Sequence, residues 1–450
     1  MWNIPGTVAD NARNTTPGND SHCREELIRQ SFFRSPVFIV LVALLLRLAV
    51  IGIGHTYRIT PRRDHFQFGW EMGRIARSLA AGQGFASPTD LPTGPSAWEA
   101  PLYPYLMAGV FKLFGAYSSA SGFVILAINS VFSALTCLTI YGIGMRLFGP
   151  IPANWAAWTW ALFPYAIYWP VRVVWETSLS AFLLSLVFLL SLRLVKESRR
   201  SDWLTLGVLW GLIALTNPTM LSFLPFSLGW IWWKLRVLGK KPTLNVALVL
   251  VLCVAVMAPW LARNYLVFGR FIFVRDNFGM ELHLANNEVS GGKWTRSEHP
   301  GNDPQQMKKF QEVGELPYMQ AEQRAAFDFI RAHPGQFLRY CSQRAVYFWI
   351  GNPQETLVGS WNLGLARHLA FFLSAAAAFV GLWLCFRNQV PCTFLFACLM
   401  ILFPIPYYIA HPSPRYRHAI EPEMVLLIVY ALWQARGCRI EIPNPGHRRT

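Results

Sequence analysis

The chain has 450 residues, 53% of them hydrophobic and only 14% charged, with a mean hydropathy of +0.30. Soluble domains carry roughly 25% charged residues, so these few cannot coat a soluble surface and the bilayer is the main solvent. The formal charge of +16 comes from Lys and Arg in short inter-helix loops, which excludes the continuous basic stripe that nucleic acid requires. It fits the positive-inside pattern, with anionic lipid as the polyanion.

Apolar windows of about 17–25 residues predict about ten spans, near 36–55, 121–146, 153–170, 177–195, 203–218, 220–237, 244–261, 367–385, 392–408 and 421–435. The expected fold is an all-α polytopic membrane protein. Basic clusters at Arg24, Arg29 and Arg34, at Lys196, Arg199 and Arg200, and at Lys234, Arg236, Lys240 and Lys241 put both termini in the cytoplasm. That assignment holds if the short, Pro- and Gly-containing piece Pro101 to Phe114 does not cross, so it reads as a juxtamembrane or re-entrant helix. The domain layout is then a cytoplasmic tail over 1–35, a membrane domain over 36–435 and a second tail over 436–450. External segments fall at 56–120, 262–366 and 409–420, with a tight external turn near Trp169 to Glu176. Within 262–366, Tyr318 to Phe348 shows helical spacing and is expected to lie on the membrane surface.

Most of the eight cysteines lie in apolar stretches or tails, and only Cys341 is external. One thiol supplies neither a disulfide framework nor a zinc site. Gly-rich phosphate loops, dinucleotide fingerprints and nucleophile elbows are also missing from the sequence.

The charges that remain gather in the external segments. In the first, a helix from Trp70 to Ala80 puts Glu71 and Arg74 on one face. Glu71 and Asp64 are candidate general bases, because a carboxylate at an apolar border can have its proton affinity raised toward working pH; ordinary ion pairs on a solvated helix are the bland reading. Glu99, between Trp98 and Pro101, suits a second-site carboxylate or a ligand for a divalent cation. Glu176 is almost alone among apolar residues, and a carboxylate at membrane depth is costly unless paired or facing water.

The last connection, His411 to Glu421, holds Arg415, Arg417 and His418 besides; guanidinium forks suit a phosphate or diphosphate at headgroup depth. Arg47 sits mid-span and must face the bundle interior or snorkel. Arg263, with Arg270, Arg275, Asn286 and Asn287, opens the large external segment and could bind sugar or phosphate, or snorkel.

At these residues the sequence resembles the GT-C class of membrane glycosyltransferases, in particular the family-39 type that includes protein O-mannosyltransferases and lipid A aminoarabinose transferases. The matching pieces run in order: Ile75 to Leu79 with Gly82-Gln83-Gly84-Phe85, Trp98-Glu99-Ala100-Pro101-Leu102-Tyr103-Pro104, Arg146-Leu147-Phe148-Gly149, Phe163-Pro164 leading to Glu176, and Arg415-Tyr416-Arg417-His418 with Glu421-Pro422.

The resemblance implies a GT-C-like bundle with external juxtamembrane helices. It also implies transfer of a monosaccharide from a polyprenyl-phosphate donor to a lipid, polysaccharide or protein hydroxyl on the periplasmic or luminal side, in a bacterial inner membrane. The first-loop acid, Glu71 ahead of Asp64, would be the base. Arg415, Arg417, His418, Arg263 and Arg74 would meet the donor phosphate, with Glu99, Glu176, His411 and Glu421 as further site acids and partners. A divalent metal, Mg or Mn, would sit at Glu99. The rival reading is a secondary transporter or flippase of lipid-linked saccharides, whose site charges belong nearer the midplane.

Overall fold

The computed structural model describes residues 35–59, 68–351 and 361–437, and among these every regular element is helical. Asp64 and most of both expected tails lie outside the described residues. Among the described residues, five helices are long and apolar enough to cross a membrane: Pro36–Ile53, Ser119–Leu147, Thr177–Lys196, Thr243–Phe268 and Leu365–Arg387. Their faces are inverted relative to a soluble protein. In the first, Ile39, Ala43, Arg47 and Ile51 are buried at helical spacing, while the apolar Val37, Leu41 and Leu45 are exposed where lipid would lie.

Several expected spans are broken where proline removes a backbone N–H. The window at 153–170 is two helices, Pro150–Leu162 and Pro164–Arg172, meeting at Phe163. The window at 220–237 starts as a 3-10 turn over Pro218–Phe223 before Leu224–Val237, and that at 392–408 divides into Thr393–Ile401 and Ile405–Ile409. The helix Leu102–Phe114 is short and apolar. Close packing elsewhere uses small residues: a Cβ on Gly207 would lie 2.7 Å from Leu252 Cβ, and one on Gly211 2.5 Å from Val256 Cβ. This glycine pair, one turn apart, lets Arg200–Thr216 lie directly against Thr243–Phe268.

Residues 270–350 form a helical cap over one end of the bundle. Tyr318 to Phe348 divides at His333-Pro334 into Glu315–Ala332 and Pro334–Ile350, preceded by Phe278–His283 and Pro304–Val313. The cap has its own core, Met280, Leu284, Phe310, Tyr318 and Met319, which receives Trp98 from the first loop. That shared tryptophan ties the cap to the segment carrying Glu71 and Glu99.

The break at Phe163 explains the mid-span arginine. A helix end leaves carbonyls without intrahelical donors. Arg47, fully buried, donates to the carbonyls of Trp160 (3.3 Å), Ala161 (3.1 Å), Ala166 (3.4 Å) and Ala43 (3.0 Å), and to Ser133 Oγ at 3.1 Å. Each buried carbonyl left unmatched costs about 1–3 kcal/mol. Arg47→Met should therefore lower stability by about 3 kcal/mol or more, read as a depressed thermal midpoint in detergent; an unchanged midpoint contradicts this role.

Candidate functional site

The end of the bundle under the cap collects the rare charges. Trp70–Ala80 starts behind a left-handed Gly69 and buries Glu71 and Arg74. Gly73 lets its first turn close, since a Cβ there would fall 2.1 Å from the Phe68 carbonyl. Glu71 Oε1 lies 3.5 Å from His299 Nε2 of the cap. Arg74 donates to Asp90 at 2.8 Å and stacks over Trp70.

Glu99 sits on a turn fastened from three sides. Arg263 donates to the carbonyls of Ser96 (2.7 Å) and Phe85 (2.8 Å), the Asp276 N–H donates to the Ala97 carbonyl, and Glu315 accepts the Ala97 N–H at 2.5 Å. Arg263 thus braces the turn. Glu99 faces Arg275 at 3.6 Å; burial pushes its carboxyl up to about 8, with Arg275 working against that rise and Glu71 and Glu176 adding to it.

Glu176 occupies the N-cap of Thr177–Lys196. Its turn is held by Asn129, which donates to the carbonyls of Val173 (3.2 Å) and Trp175 (3.5 Å) while accepting from the Tyr103 hydroxyl at 3.0 Å. Burial raises the Glu176 carboxyl and Arg415 opposes the rise. Glu176, Thr177, Ser180, Asn217, Arg415 and Tyr416 line one small cavity. The buried Oε2 of Glu176 has no hydrogen-bond partner among the described residues.

Arg415 lies 4.1 Å over the Trp175 ring and donates to the Tyr416 hydroxyl at 3.1 Å. Burial alone would lower its proton affinity, but Tyr416 and Glu176 outweigh it and hold the guanidinium firmly charged.

Two cap residues complete the group. Arg275 donates to Asn277 at 2.7 Å, and Asn277 to Glu281 at 3.3 Å. Glu281 meets His411 Nε2 at 2.8 Å; despite burial, that hydrogen bond and the His411 charge hold the Glu281 carboxyl down at about 2. The arrangement therefore brings together Glu71, Glu99, Glu176, Arg275, His411 and Arg415 from the sequence reading, and adds Glu281 and His299.

Arg417, His418 and Glu421 form a separate buried triad. Arg417 donates to Glu421 Oε1 at 3.1 Å and to the Phe371 carbonyl at 3.0 Å, and His418 Nδ1 meets Glu421 Oε2 at 2.7 Å while its ring stacks on Trp160. The donor set at Glu99 does not suit a metal. A guanidinium faces it, and among the described residues no group of three His, Cys, Asp or Glu could hold an ion.

The cap is fixed to the last connection by Arg344, fully buried, which donates to the carbonyls of Gly292 (2.9 Å), Tyr408 (3.2 Å), Ile409 (2.7 Å) and Ala285, and to Asn286 Oδ1. Asn286 donates to the same Ile409 carbonyl at 3.1 Å. Arg344→Met should lower amide-exchange protection across 409–416 by about a hundredfold, as several buried acceptors lose their donor. Unchanged exchange there would show that other contacts hold the connection.

Comparison with known proteins bears on this site directly. Residues 98–262 match the family model described as dolichyl-phosphate-mannose-protein mannosyltransferase, a stretch that includes Glu99 and Glu176. A search of curated protein sequences finds no match. Among solved structures, the chain aligns with the oligosaccharyltransferase AglB of Archaeoglobus fulgidus in complex with an inhibitory peptide and a dolichol-phosphate, at 14% identity and a TM-score of 0.46, over 90% of this chain and 52% of that one. A complex of the oligosaccharyltransferase from the same organism with Zn and sulfate aligns at 16% identity and a TM-score of 0.41, over 89% and 51%. ArnT from Cupriavidus metallidurans bound to undecaprenyl phosphate aligns at 14% identity and a TM-score of 0.39, over 85% and 77%. The chain spans about half the length of the archaeal enzymes it matches. Over residues 98–262 the chain is similar to the mannosyltransferase family, and the GT-C glycosyltransferase resemblance drawn from its ordered motifs is borne out.

Proposed function

We propose that this chain transfers a monosaccharide, a hexose or pentose, from a polyprenyl-phosphate donor to an acceptor hydroxyl on the periplasmic or luminal face of the membrane. The observation that carries this reading is the convergence of Glu71, Glu99, Glu176, Arg275 and Arg415 at one end of the bundle. Glu71 and Arg415 lie outside the stretch matched to the mannosyltransferase family, yet they belong to the same electrostatic cluster as the two acids inside it. The aligned relatives named with dolichol-phosphate and undecaprenyl phosphate point to the same donor class.

In this reading Glu71 removes the proton of the acceptor hydroxyl as its oxygen attacks the anomeric carbon of the sugar. The bond from that carbon to the phosphate oxygen breaks, its electron pair leaves with the lipid phosphate, and Arg415 and Arg275 meet the charge that develops. Glu176 and Asn217 accept and donate hydrogen bonds to sugar hydroxyls in the cavity, with Trp175 and Tyr416 as aromatic neighbours. Arg275 supplies the positive charge at Glu99 that a divalent cation would otherwise bring. Site charges at the ends of the spans, and not at their middles, favour a transferase over a carrier.

Purified protein incubated with a polyprenyl-phosphate sugar and acceptor lipid should release the lipid phosphate. Glu71→Gln should reduce turnover by about a hundredfold or more, the contribution typical of a general base. Counterflow of the lipid-linked sugar without phosphate release would favour the carrier reading instead.

A further inference from the structure

His299 has no part in the chemistry above, yet the cap is built closely around it. It is 4% exposed, and its ring is boxed by Trp70, Trp98 and Trp294 at centroid separations of 6.3, 5.7 and 5.5 Å. The loop that carries it is fixed on both sides. The Thr295 N–H donates to the Leu284 carbonyl, and those of Asn302 and Asp303 donate to the His299 carbonyl at 2.9 and 3.0 Å.

The two ring nitrogens face different partners. Nδ1 lies 3.1 Å from the Gly301 backbone nitrogen and 3.3 Å from the Asn302 amide. A backbone N–H can only donate, so Nδ1 is the acceptor and the ring proton sits on Nε2. Nε2 is the nitrogen 3.5 Å from Glu71 Oε1. Gly301 makes this possible by close approach: a Cβ there would fall 3.0 Å from His299 Cε1 and 3.3 Å from Trp70 Nε1.

We propose that His299 is a positioning residue, one that presents its Nε2–H to Glu71 and holds that carboxylate in the orientation from which it accepts the proton. The inference rests on Glu71 being the base. A glutamate at the start of a short helix has several rotamers open to it, and a base misplaced by about 1 Å can cost up to about a hundredfold in rate. The tryptophan box prevents the imidazole from turning. A histidine from the cap thereby completes a base carried on the first loop, so docking of the cap and readiness of the base are one event.

The test compares three substitutions in the full chain with the wild type and with Glu71→Gln, using lipid-phosphate release for kcat and KM and thermal unfolding as a control. Glutamine can place an amide N–H near the Nε2 position; asparagine reaches only the Nδ1 position, and phenylalanine fills the box with no donor. His299→Gln should keep kcat within about threefold, while His299→Asn and His299→Phe lose about tenfold or more with KM little changed, since only orientation of the base is lost. Equal losses in the Gln and Asn variants would overturn the proposal, as would wild-type kcat in all three when Glu71→Gln is inactive. Turnover that survives Glu71→Gln overturns the assignment of the base, and this inference falls with it.

Discussion

Charge buried at the border of an apolar bundle must be answered by opposite charge or by hydrogen bonds, and much of this protein is organised around that requirement. Glu99 and Glu176 are buried, and Glu281 half-buried, at the same end of the molecule where Arg275 and Arg415 are half-buried. No single helix carries the set. Glu99 comes from a turn ahead of Leu102–Phe114, Glu176 from a helix N-terminus, Arg415 from the last connection and Arg275 with Glu281 from the cap. Each acid meets an opposing group only when these pieces come together, Glu99 with Arg275, Glu281 with His411 and Glu176 with Arg415, so the cap and bundle are held together partly by the site itself.

Three further arginines, Arg47 and Arg344 fully buried and Arg263 half-buried, solve a related problem. Broken helices and tight turns leave carbonyls without donors, and guanidinium offers five N–H groups in a rigid fork. Arg47 serves the break at Phe163, Arg263 the turn bearing Glu99, and Arg344 the joint between the cap and the last connection. Irregular backbone in an apolar bundle is tolerated only where its polar groups are matched, and these arginines supply the donors.

The sequence made part of this readable. A charge is conspicuous where apolar residues surround it, so Glu71, Glu99, Glu176 and Arg415 stood out, and the Trp70–Ala80 helix follows from its spacing. The broken spans were foreshadowed by Pro164, Pro218 and Pro404, but a hydropathy window averages across a break and shows one continuous span. Glu281 and His299 lie in a polar segment where such residues are common, and nothing local says that they point inward. Arg417, His418 and Glu421 read like Arg415 because they share its connection; the short Pro414–His418 helix turns them into the bundle while Arg415 faces Trp175. Contact order across more than a hundred residues, as between Glu281 and His411, is set by tertiary packing and leaves no trace in spacing.

In the proposed reaction the lipid phosphate meets Arg275 and Arg415, which stand charged beside Glu99 and Glu176. The most direct measurement is equilibrium binding of a sugar-free polyprenyl phosphate to the purified protein and to its Arg275→Ala and Arg415→Ala variants. Loss of one charge-assisted contact should weaken binding by about tenfold or more in each variant. Wild-type affinity in both would contradict a lipid-phosphate site at this end of the bundle.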